Sequence, residues 1–243
     1  MAWRVVHRES PKKPGRRSRL WFCKDVFHVL KENTGTKFVE GMLLNSPPHE
    51  ENLNDKAFSN MINLSFQPDN LVELIMPRSH IKQLPEGFGN LAKLRLMDLS
   101  DSQNLVKTPN FIRCPDLQRL IFRDYFFPAP CPEQDSINLP LPMSFGLSSL
   151  VSLDLSDCNL SDGALPDDLS CFSSLEVLKL NKNNFTSLPD SISQLSKLTC
   201  LHLENCTQLQ SLPNLPLSVS VNVRGCTSLE NYSDKVVQWN LPQ

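Results

Sequence analysis

The residues best placed for chemistry in this 243-residue sequence are Cys200, His202 and Glu204. They alternate along one segment, and alternate side chains of an extended strand share a face. A cysteine beside a histidine could act as a nucleophile with its base. The sequence supplies no oxyanion hole or pocket for such a pair, so we expect an exposed recognition surface here and not a catalytic site.

The eight cysteines raise the alternative of a metal or disulfide framework. No C-x2-C or C-x4-C pair occurs, and five residues separate the closest pair, Cys200 and Cys206. The first residues lack the apolar core of a signal peptide, which favours reduced thiols in a reducing compartment. We therefore expect no metal, no disulfide framework and no cofactor.

The elements that must position these residues follow from a repeat. Segments of the form L-x-x-L-x-L, with Met or Phe at some positions, start at Leu71, Leu94, Leu117, Leu150, Leu175 and Leu198, and a weaker one starts at Ser218. Their starts lie 23, 23, 33, 25, 23 and 20 residues apart, which is the period of leucine-rich repeats except for the one gap of 33. This pattern predicts an α/β repeat fold, a leucine-rich-repeat solenoid with a curved parallel sheet and an irregular or short-helical convex side.

Each repeat continues to a small or polar residue three places beyond its last strand leucine. These positions hold Ser79, Ser102, Tyr125, Cys158, Asn183, Cys206 and Cys226. We expect such a side chain to point inward and to hydrogen-bond the backbone of the next coil. On this interpretation Cys158, Cys206 and Cys226 are structural. Leu-Pro pairs such as Leu188-Pro189 are expected where the chain leaves the strand and needs no ladder N–H.

The other side chains of each strand should line the inner, concave face and form a protein-binding surface. Their types are mixed, which suits a protein epitope better than the uniform negative charge of a phosphate backbone. The candidate binding residues are Ile75, Asp98, Arg119, Ile121, Arg123, Asp154, Asp157, Lys179, Lys182, His202, Glu204, Asn222 and Arg224. The alternative is a plain solvated sheet face.

Residues 1–66 form a head that shows no leucine frame. The first 40 residues carry ten Lys or Arg against four Asp or Glu, and the rest carries 14 against 22, so a basic head precedes an acidic body. We expect the head to be a small α-helical segment, with a helix opening near Asp25 and stopping at Gly35 and a second short helix over 55–61. The basic stretch Pro11–Arg19 is interpreted as a solvated linker, with nuclear import or nucleic-acid binding as the alternative.

These boundaries predict three parts. The repeat domain is expected over 67–231, with a first partial repeat near 57–66 and a proline-rich insertion at about 123–149. A C-terminal tail follows over 232–243. The gap of 33 residues holds a stretch too rich in proline for a helix, which we interpret as a loop between the third and fourth coils, with the remnant of a lost coil as the alternative.

Several stretches resemble plant TIR-type resistance receptors of the tobacco N-like kind. The stretch Arg8–Trp21, with the residues from Asp25 to Thr36, is similar to the end of their nucleotide-binding region. The stretches 57–61, 153–160 and 225–229 are similar to their repeats. The resemblance implies a protein-binding repeat domain of an intracellular immune receptor, which senses a pathogen effector or regulates the receptor's switch domain in defence. It also implies that residues 1–66 are a remnant of the nucleotide-binding domain and its linker.

The sequence departs from that family because it contains neither a TIR domain nor a G-x-x-x-x-G-K-[ST] phosphate loop. We therefore expect a truncated or mis-spliced receptor, and the alternatives are a structural remnant without function or a general scaffold for another host protein. The resemblance predicts a cytoplasmic, monomeric protein with no enzyme activity, with nuclear entry left open by the basic stretch. The expected partner is an effector, a host protein or the switch domain, with neither nucleic acid nor membrane bound.

We predict that the purified 243-residue protein does not bind ATP or ADP tightly, because it lacks the backbone nest and lysine that hold the phosphates. Isothermal titration calorimetry checks this. A micromolar affinity for either nucleotide would contradict the prediction.

Overall fold

The computed structural model describes residues 2–31, 34, 38–43, 69–79, 91–103, 105, 111–125 and 147–229. Two α-helices lie in the head, α1 (Ala2–Glu9) and α2 (Cys23–Lys31). The strands are β1 (Arg19–Leu20), β2 (Gly41–Leu43), β3 (Glu73–Ile75), β4 (Leu96–Asp98), β5 (Arg119–Ile121), β6 (Ser152–Asp154), β7 (Val177–Lys179), β8 (Cys200–His202) and β9 (Ser220–Asn222). Short 3₁₀ helices cover Pro14–Arg16, Phe111–Arg113, Ser170–Phe172 and Asp190–Gln194.

The strands form one parallel sheet in which every strand pairs with its neighbours in sequence, from β1 to β9. The register never slips: Leu74 pairs with Met97, and the equivalent residue of each later strand continues the row to Val221. A parallel sheet built from successive coils is the expected leucine-rich-repeat solenoid, and the fold prediction is confirmed.

The leucine frames form the core of this solenoid. In the frame Leu175-x-x-Leu178-x-Leu180 the three side chains are 1%, 2% and 0% exposed, and the frames starting at Leu71, Leu94, Leu117, Leu150 and Leu198 are equally buried. Neighbouring coils supply the walls that a single coil lacks, so burial is continuous along the stack. The seventh frame is weaker, since Val221 and Val223 are only partly buried.

The Leu-Pro pair at Leu188-Pro189 lies where the chain enters the convex side, as the sequence predicts. Leu188 is buried, and Pro189 stands in extended conformation directly before the 3₁₀ helix Asp190–Gln194. The Leu-Pro pair at 84–85 and the Thr-Pro variant at 108–109, which the sequence places at the same point of earlier repeats, lie outside the described residues.

From Ser102 to Cys226, the inward-pointing residue beyond each strand bonds to the preceding coil and not to the next one, which corrects the expected direction. The Nδ2 of Asn183 donates to the carbonyl of Leu155 at 2.9 Å, and its Oδ1 accepts the N–H groups of Cys158 and Leu160 at 3.1 and 3.0 Å. These backbone groups lie in the turn of the preceding coil, where the Asn183 side chain supplies their hydrogen-bond partner. The thiol of Cys206 likewise donates to the carbonyl of Leu180 at 3.2 Å.

Tyr125 fills the same interior position with a far larger side chain. Its hydroxyl donates to the carbonyl of Leu105, and its ring lies 5.6 Å from that of Phe122. Phe111 meets Phe122 edge-on at 6.4 Å. This repeat is therefore packed by aromatic rings where the others use a short polar side chain.

The head is not the purely helical segment that the sequence suggested, because β1 and β2 continue the sheet. Leu20 and Met42 pair in register with each other, and Met42 pairs with Leu74. Both side chains are buried, at 0% and 2% exposed. Helix α2 begins at Cys23, two residues earlier than expected, and ends at Lys31 before the expected stop at Gly35.

The basic stretch of the head is folded, which corrects its interpretation as a solvated linker. Arg17 is 3% exposed and lies three residues before Leu20, the place that a leucine occupies in the later frames. Its guanidinium donates to the carboxylate of Asp25 at 2.5 Å and to the carbonyls of Ser10 and Pro11 at 2.9 and 3.0 Å. A buried guanidinium is tolerated only with such complete pairing.

Arg19 links strands that are not neighbours. Arg19, Gly41 and Glu73 are register partners in β1, β2 and β3, and the guanidinium of Arg19 pairs with the carboxylate of Glu73 across Gly41. A Cβ at position 41 would lie 2.8 Å from Nη1 and 3.2 Å from Cγ of Arg19. The missing side chain of Gly41 therefore makes room for this ion pair.

The remaining predictions about the chain's organisation fall on other residues. The second helix over 55–61, the partial repeat near 57–66, most of the proline-rich insertion and the tail over 232–243 lie outside the described residues. Among the helices that are described, none is long and apolar enough to cross a membrane.

We predict that Asn183→Ala lowers the free energy of unfolding by about 2–4 kcal/mol, because it leaves two buried N–H groups without an acceptor. Urea denaturation followed by circular dichroism measures this. The matched control is Asn184→Ala, which removes an exposed contact to Asn159 and should cost less than about 1 kcal/mol. Equal losses in the two variants would contradict the structural role of Asn183.

Candidate protein-binding face

The exposed face of the sheet, here called the concave face, carries three rows of side chains that run across the strands. The central row, between the two buried positions of each strand, is Ile75, Asp98, Ile121, Asp154, Lys179, His202 and Asn222. The first row, two residues earlier, is Glu73, Leu96, Arg119, Ser152, Val177, Cys200 and Ser220. The third row, two residues later, is Pro77, Ser100, Arg123, Ser156, Asn181, Glu204 and Arg224.

A fourth set of residues forms a turn row at the end of the strands. It consists of Arg78, Asp101, Asp124, Asp157, Lys182, Asn205 and Gly225. All seven adopt the left-handed conformation, with φ of 56 to 59° for the first six and 80° for Gly225. Their N–H groups continue the ladder: that of Asp157 donates to the carbonyl of Asn181 at 2.8 Å. The predicted residues Asp157 and Lys182 therefore lie on this turn edge and not on the strands.

Ion pairs connect neighbouring coils along these rows. Lys182 Nζ lies 3.1 Å from a carboxylate oxygen of Asp157, and Lys179 Nζ lies 3.6 Å from one of Asp154. The second distance exceeds that of a hydrogen bond. Asp154 is the more protected acid, with 14% of its side chain exposed against 40% for Asp157.

The turn row places Asp101, Asp124 and Asp157 on successive coils. Burial raises the pKa of Asp124, and its hydrogen bond to the carboxyl of Asp157 and the negative charges of Asp101 and Asp157 raise it further. Arg123, whose Nε lies 3.5 Å from a carboxylate oxygen of Asp124, opposes that rise in pKa. Burial and the two neighbouring carboxyl groups therefore disfavour the charged form of Asp124.

One predicted binding residue is buried. Asn222 is 8% exposed, and its Nδ2 donates to a carboxylate oxygen of Glu204 on the previous coil. Its Oδ1 accepts the N–H of Arg224 at 3.2 Å. Asn222 therefore shapes the end of the face, and both polar atoms of its side chain are already engaged by neighbouring residues.

The segment of Cys200, His202 and Glu204 lies on the concave face, with one residue in each of the three rows. Partial burial lowers the pKa of His202, and the positive charge of Lys179 adds to the effect, while Glu204 and Asp154 oppose it. A neutral imidazole beside a half-buried thiol is compatible with a recognition surface.

Two serines of the third row were missed as candidates. Ser100 and Ser156 each follow an aspartate by two residues, in the repeated segments Asp98-Leu99-Ser100 and Asp154-Leu155-Ser156. The recurrence of Asp-Leu-Ser at the same position of two repeats was the available signal. In both segments the serine N–H donates to the aspartate Oδ1, at 3.0 and 3.1 Å.

The parallel ladder, the buried leucine frames and the inward polar residue of each turn define this chain as a leucine-rich-repeat solenoid. The class typically serves as a scaffold for protein–protein interaction, through surfaces that stacked repeats create.

Comparison with known proteins shows that the chain is similar to plant disease resistance proteins. A family model described as leucine-rich repeats of disease resistance protein RPS4B-like matches residues 144–239. TMV resistance protein N of Nicotiana glutinosa is 38% identical over 165 residues, which cover 65% of this chain and 14% of that protein. Disease resistance protein RPP2A of Arabidopsis thaliana is 28% identical over 279 residues, 89% of this chain and 21% of that protein. The resemblance to plant TIR-type resistance receptors is confirmed.

The chain spans less than a quarter of the length of these two relatives. Among solved structures, the mouse RP105/MD-1 complex matches 79% of this chain and 31% of the matched chain, with a TM-score of 0.54 and 21% identity. That likeness supports the solenoid fold alone.

We predict that the interior thiols are unreactive toward Ellman's reagent in the native protein at pH 8. Burial raises the pKa of Cys158 and Cys114 to about 12 and that of Cys206 to about 11, so few of these thiols are thiolates at that pH. The half-buried Cys200 should react first. A variant with Cys23 and Cys131 replaced by serine isolates the described thiols, and mass spectrometry of the labelled peptides locates the reaction. Rapid labelling of Cys158 would contradict the interior position.

Proposed function

We propose that this chain is the protein-binding repeat domain of a plant intracellular immune receptor and that its concave face recognises the partner. The observation that carries the proposal is the unbroken set of aligned rows from β3 to β9 in a relative of plant resistance proteins. The partner is a pathogen effector, a host protein or the switch domain of the receptor, bound in the cytoplasm. Residues 1–66 are proposed to derive from the end of the nucleotide-binding domain and its linker.

The composition of the concave face favours a protein partner. Cations and carboxylates alternate with apolar and small side chains, as Arg119, Ile121, Ser152 and Asp154 illustrate on two neighbouring strands. A phosphate backbone needs a continuous positive surface, whereas a protein epitope matches such a mosaic. The face is also preorganised, since every strand is fixed by its neighbours on the ladder.

The binding residues that we propose are those of the sequence prediction, with Asn222 given a supporting part. Arg119, Arg123 and Lys182 are exposed, and Ile75, Asp98, Ile121, Asp154, Lys179 and His202 are half-buried. Partly buried side chains at the centre with exposed charged ones around them resemble the core and rim of a protein interface.

We predict that the charge reversals Lys179→Glu and Arg123→Glu abolish partner capture and leave the fold intact. Both side chains lie on the sheet surface, with 40% and 56% exposed. Proximity labelling with the tagged chain in plant tissue, read by quantitative mass spectrometry, measures the captured proteins. Circular dichroism melting checks the fold.

Two controls frame this experiment. Lys197→Glu reverses an exposed charge away from the strands and should leave capture unchanged. Leu178→Ala opens a cavity next to Lys179 and should cost roughly 2–5 kcal/mol of stability. If the face variants capture the same proteins as the unaltered chain, the concave face is not the binding surface. If they unfold the chain, the assignment of strand faces is wrong.

A further inference from the structure

The two Asp-Leu-Ser segments of the concave face differ in one contact. The Oγ of Ser100 donates to Asp98 Oδ1 at 2.5 Å, in addition to the bond from its N–H. The Oγ of Ser156 has no hydrogen-bond partner within the described part of the chain, although Ser156 is only 5% exposed. A buried hydroxyl without a partner is rare and costs stability. The hydroxyl of Ser156 thus has a hydrogen bond left to donate, whereas that of Ser100 does not. Because the oxygen is buried, a ligand reaches it only when the serine side chain rotates toward the concave face.

The position of Ser156 places this hydroxyl on the binding side of the sheet. Leu153 and Leu155 are buried in the core, so the alternate residues 152, 154 and 156 lie on the opposite side. The two oxygens of Asp154 are already engaged, one by the N–H of Ser156 and the other by Lys179 Nζ at 3.6 Å.

Short side chains on β6 lie between long cationic ones. We call these side chains, Ser152, Asp154 and Ser156, the short row; unlike the rows above, it runs along one strand. Arg119 and Arg123 flank it on one side, and Lys179 and Lys182 flank it on the other. Parallel strands lie about 4.8 Å apart, so the two cationic flanks are separated by roughly 10 Å. An extended side chain of a partner fits over a row of this width.

The charge balance around the short row favours an anion. Four cations flank it, and the carboxyl groups nearby are those of Asp124, Asp154 and Asp157. Arg123, Lys179 and Lys182 each lie near one of these carboxyl groups, Asp124, Asp154 and Asp157 respectively, which leaves the charge of Arg119 in excess. The side chain of Arg119 is exposed and forms no ion pair or hydrogen bond within the described residues. Within the part of the chain that the structure describes, one flanking cation at the edge of the row is therefore unpaired.

We propose that the short row binds an acidic side chain of a protein partner, whose carboxylate accepts a hydrogen bond from Ser156 Oγ and is stabilised by Arg119, Arg123 and Lys179. This inference rests on the proposed function, in which the concave face binds a protein. A nucleic acid would be disfavoured, because its regularly spaced phosphates would meet Asp98, Asp101 and Asp157 on the same face. A single carboxylate avoids those residues.

The probe for this site is the capped peptide acetyl-Gly-Glu-Asp-Glu-Gly-amide, titrated into the isotope-labelled chain at 150 mM salt and followed by NMR. Saturable shifts at the backbone amides of β5 to β7 are expected. The neutral peptide acetyl-Gly-Gln-Asn-Gln-Gly-amide and a ten-nucleotide single-stranded DNA serve as comparisons. Equal binding of the neutral peptide, shifts of these amides with the DNA alone, or no binding of the acidic peptide would overturn the proposal.

Ser156→Ala and Ser100→Ala form a matched pair of variants. Ser156→Ala should lower the affinity for the acidic peptide about tenfold, which is the loss expected for a hydrogen bond to a charged group. It should not lower the melting temperature. Ser100→Ala should leave the affinity unchanged and lower the melting temperature, because it removes a satisfied bond. If Ser156→Ala lowers the melting temperature and leaves the affinity unchanged, the hydroxyl is structural and the inference fails.

A second pair tests the charge. Arg119→Gln should weaken binding of the acidic peptide several-fold. Arg224→Gln should leave this binding unchanged, because Arg224 follows β9, three strands away from β6 on the same face. If the chain does not bind the acidic peptide but Lys179→Glu still abolishes partner capture, the acidic site is refuted and the proposed function stands. If neither effect occurs, the proposed function is refuted as well.

Discussion

The uninterrupted register between neighbouring strands is the constraint on which the rest of this structure depends. Each strand is only two or three residues long, so no strand is stable without its neighbours. The ladder fixes where every leucine enters the core, and a shift by one residue would turn the leucines to solvent. Because the strands are parallel and in register, equivalent residues of successive coils also lie side by side on the exposed face. The same hydrogen bonds therefore produce both the core and the rows of the candidate binding surface.

The sharp turn after each strand follows from that constraint. The chain must leave the sheet within two residues and still offer an N–H to the next coil, and a left-handed residue does both. Such a residue favours Asp, Asn or Gly, which hold five of the seven positions, while Arg78 and Lys182 hold the others. The backbone requirement thus places short polar and charged side chains along one edge of the face. Part of the charge pattern of this surface is a consequence of folding and is not evidence for a partner by itself.

Much of the fold could be predicted from the sequence, because the leucine frames give both the length of the repeat and the side chains that point into the core. The rows from Ile75 to Asn222 follow directly once the frames are aligned. The strands of the head could not be found this way, since β1 has Arg17 where a frame has its first leucine. That position can hold an arginine only because Asp25 and the carbonyls of Ser10 and Pro11 lie within reach. These partners are six to eight residues away in sequence, but only the fold of the head turns them toward the guanidinium.

The candidate site was less predictable because its properties depend on neighbours in other coils. Nothing in the two Asp-Leu-Ser segments distinguishes Ser100 from Ser156, yet one hydroxyl is bonded and the other is not. Lys179, which belongs to the next repeat, faces Asp154, whereas the register partner of Asp98 in the next repeat is Ile121. The burial of Asn222 also follows from its contact with Glu204 on another coil. Differences of this kind depend on contacts between neighbouring coils, which the sequence of a single repeat does not reveal.

The ion pair of Arg19 and Glu73 has a consequence for how the stack comes apart. In an ideal solenoid each coil contacts only its immediate neighbours, and unfolding starts by fraying from an end. Here a side chain of the first strand reaches the third across Gly41, so the first coil cannot peel away without also disturbing the contact of the third. The opening of β1 is thereby coupled to β3 by a contact that skips one strand.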